Sequence, residues 1–238
     1  MNPFKYSAAA AVGVALALSI PSARAESFFQ IEAGIGGSAY ARGADGLWIQ
    51  DGFEHNLHLT APAVEVGVTG ELFERPAWGV AWHADYVWLA TVHTQGMATP
   101  SDENYNLKTK SCNGSCWPLA NYLGSGHNSG FILTLEPHYD FDGWRIGVEA
   151  GPYLFKNTWS VDVQGWRSSP DAAPMDIHVE NKAQWKLGYV VGASIGYKNF
   201  SINYQYFANK ESVTAYNPYP PVWNGTHVLL VKYRANVF

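Results

Sequence analysis

Apolar and polar positions alternate along this chain with a period of two, over and over. In residues 79–89, "GVAWHADYVWL", Val80, Trp82, Ala84, Tyr86 and Trp88 fall on one side, while Gly79, Ala81, His83, Asp85 and Val87 fall on the other. Such a period predicts a strand, because successive side chains of a strand point to opposite faces. Seven further segments repeat the pattern: "SFFQIEAGIGGSAY" (27–40), "AVEVGVTG" (63–70), "FILTLEPHY" (131–139), "WRIGVEAGPYL" (144–154), "WKLGYVVGASIGY" (185–197), "FSINYQYF" (200–207) and "HVLLVKYR" (227–234). No segment carries a convincing helical period.

The connections between the eight segments alternate in length. Arg42 to His58, Ala90 to Ser125, Lys156 to Lys182 and Ala208 to Thr226 are long; Glu71 to Ala77, Asp140 to Gly143 and Lys198-Asn199 are short. A sheet with the same solvent at both strand ends has no cause to do this. A barrel threaded through a membrane does, with short turns on one side and long loops on the other. An even strand number then places both termini on the short-turn side.

The two faces differ in chemistry. One carries Trp, Tyr, Val, Leu and Ile. The other carries Glu32, Glu65, His83, Asp85, Glu136, His138, Arg145, Glu149, Lys186, Lys232 and Arg234, interspersed with glycine. A barrel in lipid turns its apolar face out and its polar face in, and closure leaves no unpaired backbone edge in hydrocarbon. Trp78, Tyr139, Trp144, Tyr197 and Phe200 flank the short turns, and Tyr40, Trp88 and Trp185 lie towards the long loops, as two interfacial belts require. Pro137 and Pro152 each delete a ladder donor and are expected near strand ends. The predicted fold is all-β: a transmembrane antiparallel up-and-down β-barrel of eight strands. Ten strands result if "TWSVDVQ" (158–164) and "MDIHVEN" (175–181) also cross, but they read better as a hairpin on the third long connection.

Composition agrees. Aromatics make up 15% of the chain, with 10 Trp and 14 Tyr, and charged residues only 15% against an ordinary ~25%. The N-terminus has Lys5, an apolar run from Ala8 to Ile20, and Ala23-Arg24-Ala25, the layout of a cleaved secretory signal. Residues 1–25 are thus expected to be a signal peptide and 26–238 the barrel. Its loss leaves 13 Lys+Arg against 20 Asp+Glu, a balance of −7, which argues against nucleic acid as a partner. Cys112 and Cys116 are expected to pair as a disulfide in the oxidising compartment the signal implies.

Signal, eight alternating segments, loop rhythm and the aromatic last residue Phe238 together resemble the small eight-stranded outer-membrane barrels of Gram-negative bacteria (the type of the OmpA transmembrane domain, OmpX and OmpW). The resemblance covers the mature chain as an architecture. It implies an outer-membrane location, contact with lipids including lipopolysaccharide, and recognition of the C-terminal strand ending at Phe238 by the barrel-insertion machinery.

Chemistry is less legible. An eight-stranded barrel is just wide enough for side chains to fill, so the inward charges are expected to pair as a salt-bridge plug; a narrow channel is the alternative. His127 and Ser129 in "SGHNSG" share the outward face at the rim. Their spacing is similar to the His-x-Ser of outer-membrane lipid A deacylases, whose triad needs a carboxylate about twelve residues on. Position 141 is Phe, between Asp140 and Asp142, so the two residues are weak catalytic candidates. His83 with Asp85 and His138 with Asp140 could each offer two metal ligands, but a third is not in view. No cofactor or metal is expected. The expected function is therefore non-enzymatic: long loops, including the Tyr-, Pro- and Trp-rich 214–227, presented for adhesion, envelope integrity or recognition of an extracellular ligand.

Overall fold

The alternating segments and their extensions form twelve strands among the described residues: β1 (Gln30–Arg42), β2 (His55–His58), β3 (Thr60–Glu74), β4 (Trp78–Ala98), β5 (Tyr105–Asn106), β6 (Ser111–Cys112), β7 (Ala120–Phe141), β8 (Trp144–Trp166), β9 (Met175–Glu180), β10 (Trp185–Tyr197), β11 (Phe200–Ala208) and β12 (Trp223–Asn236). The structure, a computed structural model, describes residues 29–43, 55–98, 105–106, 108–109, 111–113 and 119–236. The expected signal peptide, the Cys112–Cys116 bridge and the terminal Phe238 lie outside the described residues.

Eight strands close a ring in the order β1, β3, β4, β7, β8, β10, β11, β12 and back to β1. Every neighbouring pair in the ring is antiparallel. The wall therefore has no free edge. β9 pairs with β8 alone, from Ser160 onward, so 158–164 and 175–181 form a hairpin above the wall and the ring has eight strands rather than ten. β2 similarly continues the sheet beside the outer part of β4. The β7–β8 connection is Asp142-Gly143, with φ of 47° and 80°. Positive φ at both central residues is what the tight hairpin turn matching strand twist requires, and Asp-Gly supplies it.

Three sequence expectations change. First, β4, β7 and β8 run for 21, 22 and 23 residues, about twice the ~9–11 that cross a bilayer at barrel tilt. The second long connection thus begins beyond Ala98 rather than at Ala90. A bulge between Leu89 and Val92 explains the misreading. It moves the inward set from Val87 and Leu89 to Val92, Thr94 and Gly96, so strict alternation fails while the strand continues. Second, Tyr40 is not in the outer belt. It lies on the inward face of β1, 4% exposed, with its hydroxyl bonded to the Leu89 carbonyl (3.2 Å). Third, Pro152 is central in β8, opposite Tyr189, not near an end. The β7–β8 register holds at Ile132–Tyr153 above it and Leu135–Ala150 below it, so the ladder on both sides carries the missing donor.

Candidate functional site

The inward faces of the eight strands converge on one lumen, which is filled in layers above an open short-turn end. At the short-turn end the guanidinium of Arg145 (β8) donates to Asp140 (2.9 and 3.2 Å) and to Glu71 (2.6 Å). His138 Nε2 lies 3.3 Å from Asp140 and 3.7 Å from Glu71. A cavity of about 1130 Å³ opens at this end, lined by Glu71, Glu74, Arg75, Asp140, Arg145 and, at its floor, Arg234.

Above that floor His83 (β4) bridges two carboxylates, Nδ1 to Glu32 and Nε2 to Glu136, each at 2.7 Å. Arg234 reaches the same two acids at 3.3 and 3.2 Å, and the Ser194 hydroxyl donates to Glu136. One step higher, Lys232 (β12) donates to Glu65 and sits 3.9 Å from Asp85. Glu149 and Gln205 are buried beside them. Isolated buried ions cost several kcal/mol each, so charges are found in such a place only in company.

Glycines make the room. Glu32 and Asp85 both face Gly67 across the ladder, Glu65 and Lys232 both face Gly34, Glu149 faces Gly192, Arg145 faces Gly196, and His138 faces Gly79 and Gly147. Lys232 lies over Gly34, Asp85 over Gly67, His138 over Gly79, Glu136 over Gly147 and Glu149 over Gly192. A Cβ at Gly67 would stand 2.1 Å from Asp85 Oδ1, and one at Gly147 2.1 Å from Glu136 Oε1.

The upper lumen is apolar and then capped. Tyr153, Phe155 and Phe207 pack ring on ring, followed by Tyr40, Trp159 and Trp223. Asn128 and Asn157 thread this layer: Tyr153 donates to Asn128, which donates to Asn157 (2.6 Å), which donates to the Asn209 carbonyl (3.0 Å). The fourth long connection folds inward over the mouth, burying Asn209, Glu211, Asn217 and Val222. Glu211 accepts from Asn157, Lys186 (2.8 Å) and Asn217 (2.6 Å).

Lys186 thus belongs to the cap rather than to the central charges, and Arg145 and His138 to the rim. Glu71 and Glu211 were not singled out from the sequence. Glu71 borders a bulge between Glu71 and Phe73 and Glu211 sits in a loop, so neither stands in an alternating run. In each His-x-Asp pair one of the two partners is already engaged. Glu32, His83 and Asp85 lie within 4.8 Å of one another, but both nitrogens of His83 are engaged by carboxylates, and Asp140 is held by Arg145.

His127 and Ser129 are on the outward face of β7, well inside the strand. His127 Nδ1 is bonded to Thr158 Oγ1 at 2.8 Å, and Ser129 stands opposite Trp88 and Lys156. Among the described residues no carboxylate bonds to His127.

On the protruding hairpin His178 Nδ1 meets Asp162 Oδ1 at 2.6 Å, both exposed. The hydrogen bond to Asp162 raises the imidazole above its ordinary value of 6.5. A raised folded-state value means that this contact helps hold the hairpin below pH 6.5 and is lost as pH climbs through the folded value. An NMR titration should find His178 above 6.5 in the wild type and back near 6.5 in Asp162→Asn.

No protein-family model matches the chain, and no curated protein matches it. Among solved structures it is similar to Ail, the attachment invasion locus protein of Yersinia pestis, crystallised in complex with the heparin analogue sucrose octasulfate. The identity is 15% and the TM-score 0.35, over 87% of this chain and 97% of that one.

Proposed function

We propose that the chain is an integral outer-membrane barrel, exported by its N-terminal signal, that displays its long loops at the cell surface and conducts no solutes. The observation that carries this reading is the outside of the ring. Ile35, Val66, Leu133, Val148, Leu187, Val191, Ile202 and Leu229 stand exposed all the way round it, an apolar belt far larger than a water-soluble monomer tolerates. Trp78, Tyr139, Trp144, Tyr197 and Phe200 border the belt on the short-turn side, with Trp88 and Trp185 on the other, which is where aromatic side chains meet headgroups. Lipids, including lipopolysaccharide, are then the partners of the belt. The C-terminal strand is the segment the insertion machinery would read.

The layered lumen favours a closed barrel over a channel. Ionic plug, aromatic layer and inward-folded fourth connection lie one above another, so display at the surface, for adhesion, envelope integrity or recognition, is the function left to the loops and the hairpin. A hydrolase at His127 and Ser129 draws no support from the surroundings of His127. Refolded protein in a planar bilayer should show no steady single-channel steps. Such steps would overturn the closed-barrel reading in favour of a channel, and mature protein that stays soluble without detergent would overturn the membrane reading.

A further inference from the structure

A groove on the outer wall beside His127 arises where β8 changes partners. β8 pairs with β10 as far as Lys156, opposite Trp185, and with β9 from Ser160, opposite Glu180. Residues 157–159 and 181–184 face one another across the gap between the two pairings. Asn181 closes the back of this gap. Its N–H donates to the Trp159 carbonyl at 2.9 Å, its Oδ1 accepts from the Trp159 N–H at 2.8 Å, and its amide donates to the Asn157 carbonyl at 3.1 Å. Backbone groups that the ladder leaves there are thus paired, as a built gap requires and a frayed end does not. In front lies a groove of about 650 Å³, lined among others by Ser125, His127, Thr158, Ser160, Glu180 and Lys182.

The height of the groove fixes what it faces. Trp88, Ser129, Lys156 and Trp185 stand in one row across β4, β7, β8 and β10. This is the belt on the long-loop side, and His127 and Thr158 are the next outward-facing pair above it. The next row below it is Tyr86, Phe131, Leu154 and Leu187, all exposed. Acyl chains therefore end beneath the groove, and headgroups lie beside it. Its donors and acceptors are of two kinds. The Thr158 hydroxyl is 2.8 Å from His127 Nδ1; with its proton given to that nitrogen, the neutral ring carries its own proton on Nε2. Lys182 is exposed, and Lys156 stands next below Thr158 on the same face. Neither ammonium is in an ion pair among the described residues. Ammonium groups and an N–H donor suit a phosphate. The hydroxyls of Ser125 and Ser160, 3.4 Å apart, and the Glu180 carboxylate suit the hydroxyls of a sugar.

We propose that this groove binds the phosphorylated sugar headgroup of one outer-leaflet glycolipid. The phosphate takes the lower end, with Lys182, Lys156 and the His127 Nε2–H. The sugar lies above it on Ser125, Ser160 and Glu180, where the carboxylate accepts from sugar hydroxyls and repels a phosphate. The acyl chains run down over Phe131, Leu154 and Leu187. His127 serves here as a hydrogen-bond donor and not as a base. The proposal rests on the membrane reading above, and it turns a general lipid belt into one discrete site.

The experiment titrates the refolded mature chain in detergent with three lipids: diphosphoryl lipid A, the same lipid after removal of its phosphates, and phosphatidylglycerol. Native mass spectrometry counts the lipid bound. Wild type should take up one diphosphoryl lipid A and bind each of the other two ~10-fold more weakly. The double variant Lys156→Gln with Lys182→Gln should lose about the same factor for diphosphoryl lipid A and no longer tell it from the dephosphorylated form. Lys198→Gln, at the short-turn interface, should bind like wild type. Heat-dependent gel migration shows that each variant is a folded barrel. Equal uptake of phosphorylated and dephosphorylated lipid by wild type overturns the proposal. So does uptake of phosphatidylglycerol as tight as that of lipid A, or unchanged affinity in the folded double variant. Each of these leaves the membrane reading in place, whereas a mature chain that is soluble without detergent overturns both.

Discussion

Replacing Lys232 by methionine should destabilise the barrel by ~3–5 kcal/mol, the cost of breaking a buried ion pair from one side. The ammonium is 1% exposed, donates to Glu65 and lies near Asp85. Methionine fills a comparable volume, so little of the loss is packing. What remains is two or three carboxylates in a closed lumen with no cation of their own. Urea unfolding in micelles, followed by Trp fluorescence, measures the change. Lys232→Met paired with Glu65→Gln should recover a large part of it, because the second change removes the charge the first one orphaned. If Lys232→Met unfolds at the wild-type midpoint, the central charges are not held by this lysine.

Gly147→Val should cost a similar ~3–5 kcal/mol by a different route. The three atoms nearest a Cβ at 147 all belong to Glu136: Oε1 at 2.1 Å, Cδ and Cγ at 2.7 Å. The carboxylate must move. Glu136 would then leave His83, Arg234 and Ser194 together, and two cations would share Glu32 alone. The same urea series serves, with a specific check on the cause. In a Glu136→Ala background the added valine should cost under about 1 kcal/mol, since the side chain it displaces is gone. Equal costs in both backgrounds would mean that backbone strain, not loss of the charge network, sets the penalty.

The strands were readable because lipid or water on one side and a filled lumen on the other impose a strict alternation, and eight runs keep it for long enough to be seen. The misreadings occur where that rule lapses. The bulge after Leu89 flips the inward set of β4, so the strand seemed to stop there. Tyr40 resembles an interface aromatic in composition, and only its even place along β1 turns it inward, where its hydroxyl reaches the carbonyls of β4. Inward charges could be named from their face, but partners depend on the register between strands, and no single strand encodes that. Glu211 shows the limit most clearly. Its burial is decided by Lys186, Asn157 and Asn217, three residues far apart in the chain or in an irregular loop.

The glycines facing the inward charges bear on how the chain finds its pairing. Alternation forbids a one-residue slip, since that would turn every side chain to the wrong face, but it tolerates a slip of two. Sliding β12 by two along β1 in one direction would move Lys232 off Gly34 and against Glu32. Sliding β8 along β10 would set Glu149 against Val190 or Ser194 in place of Gly192. Each misaligned sheet would still look amphipathic, and each would have to place a long charged chain where a side chain already stands. Bulk on one strand and its absence on the next thus act as key and slot. They select one alignment among several that hydrophobicity alone would accept, and they do so before any ion pair has formed.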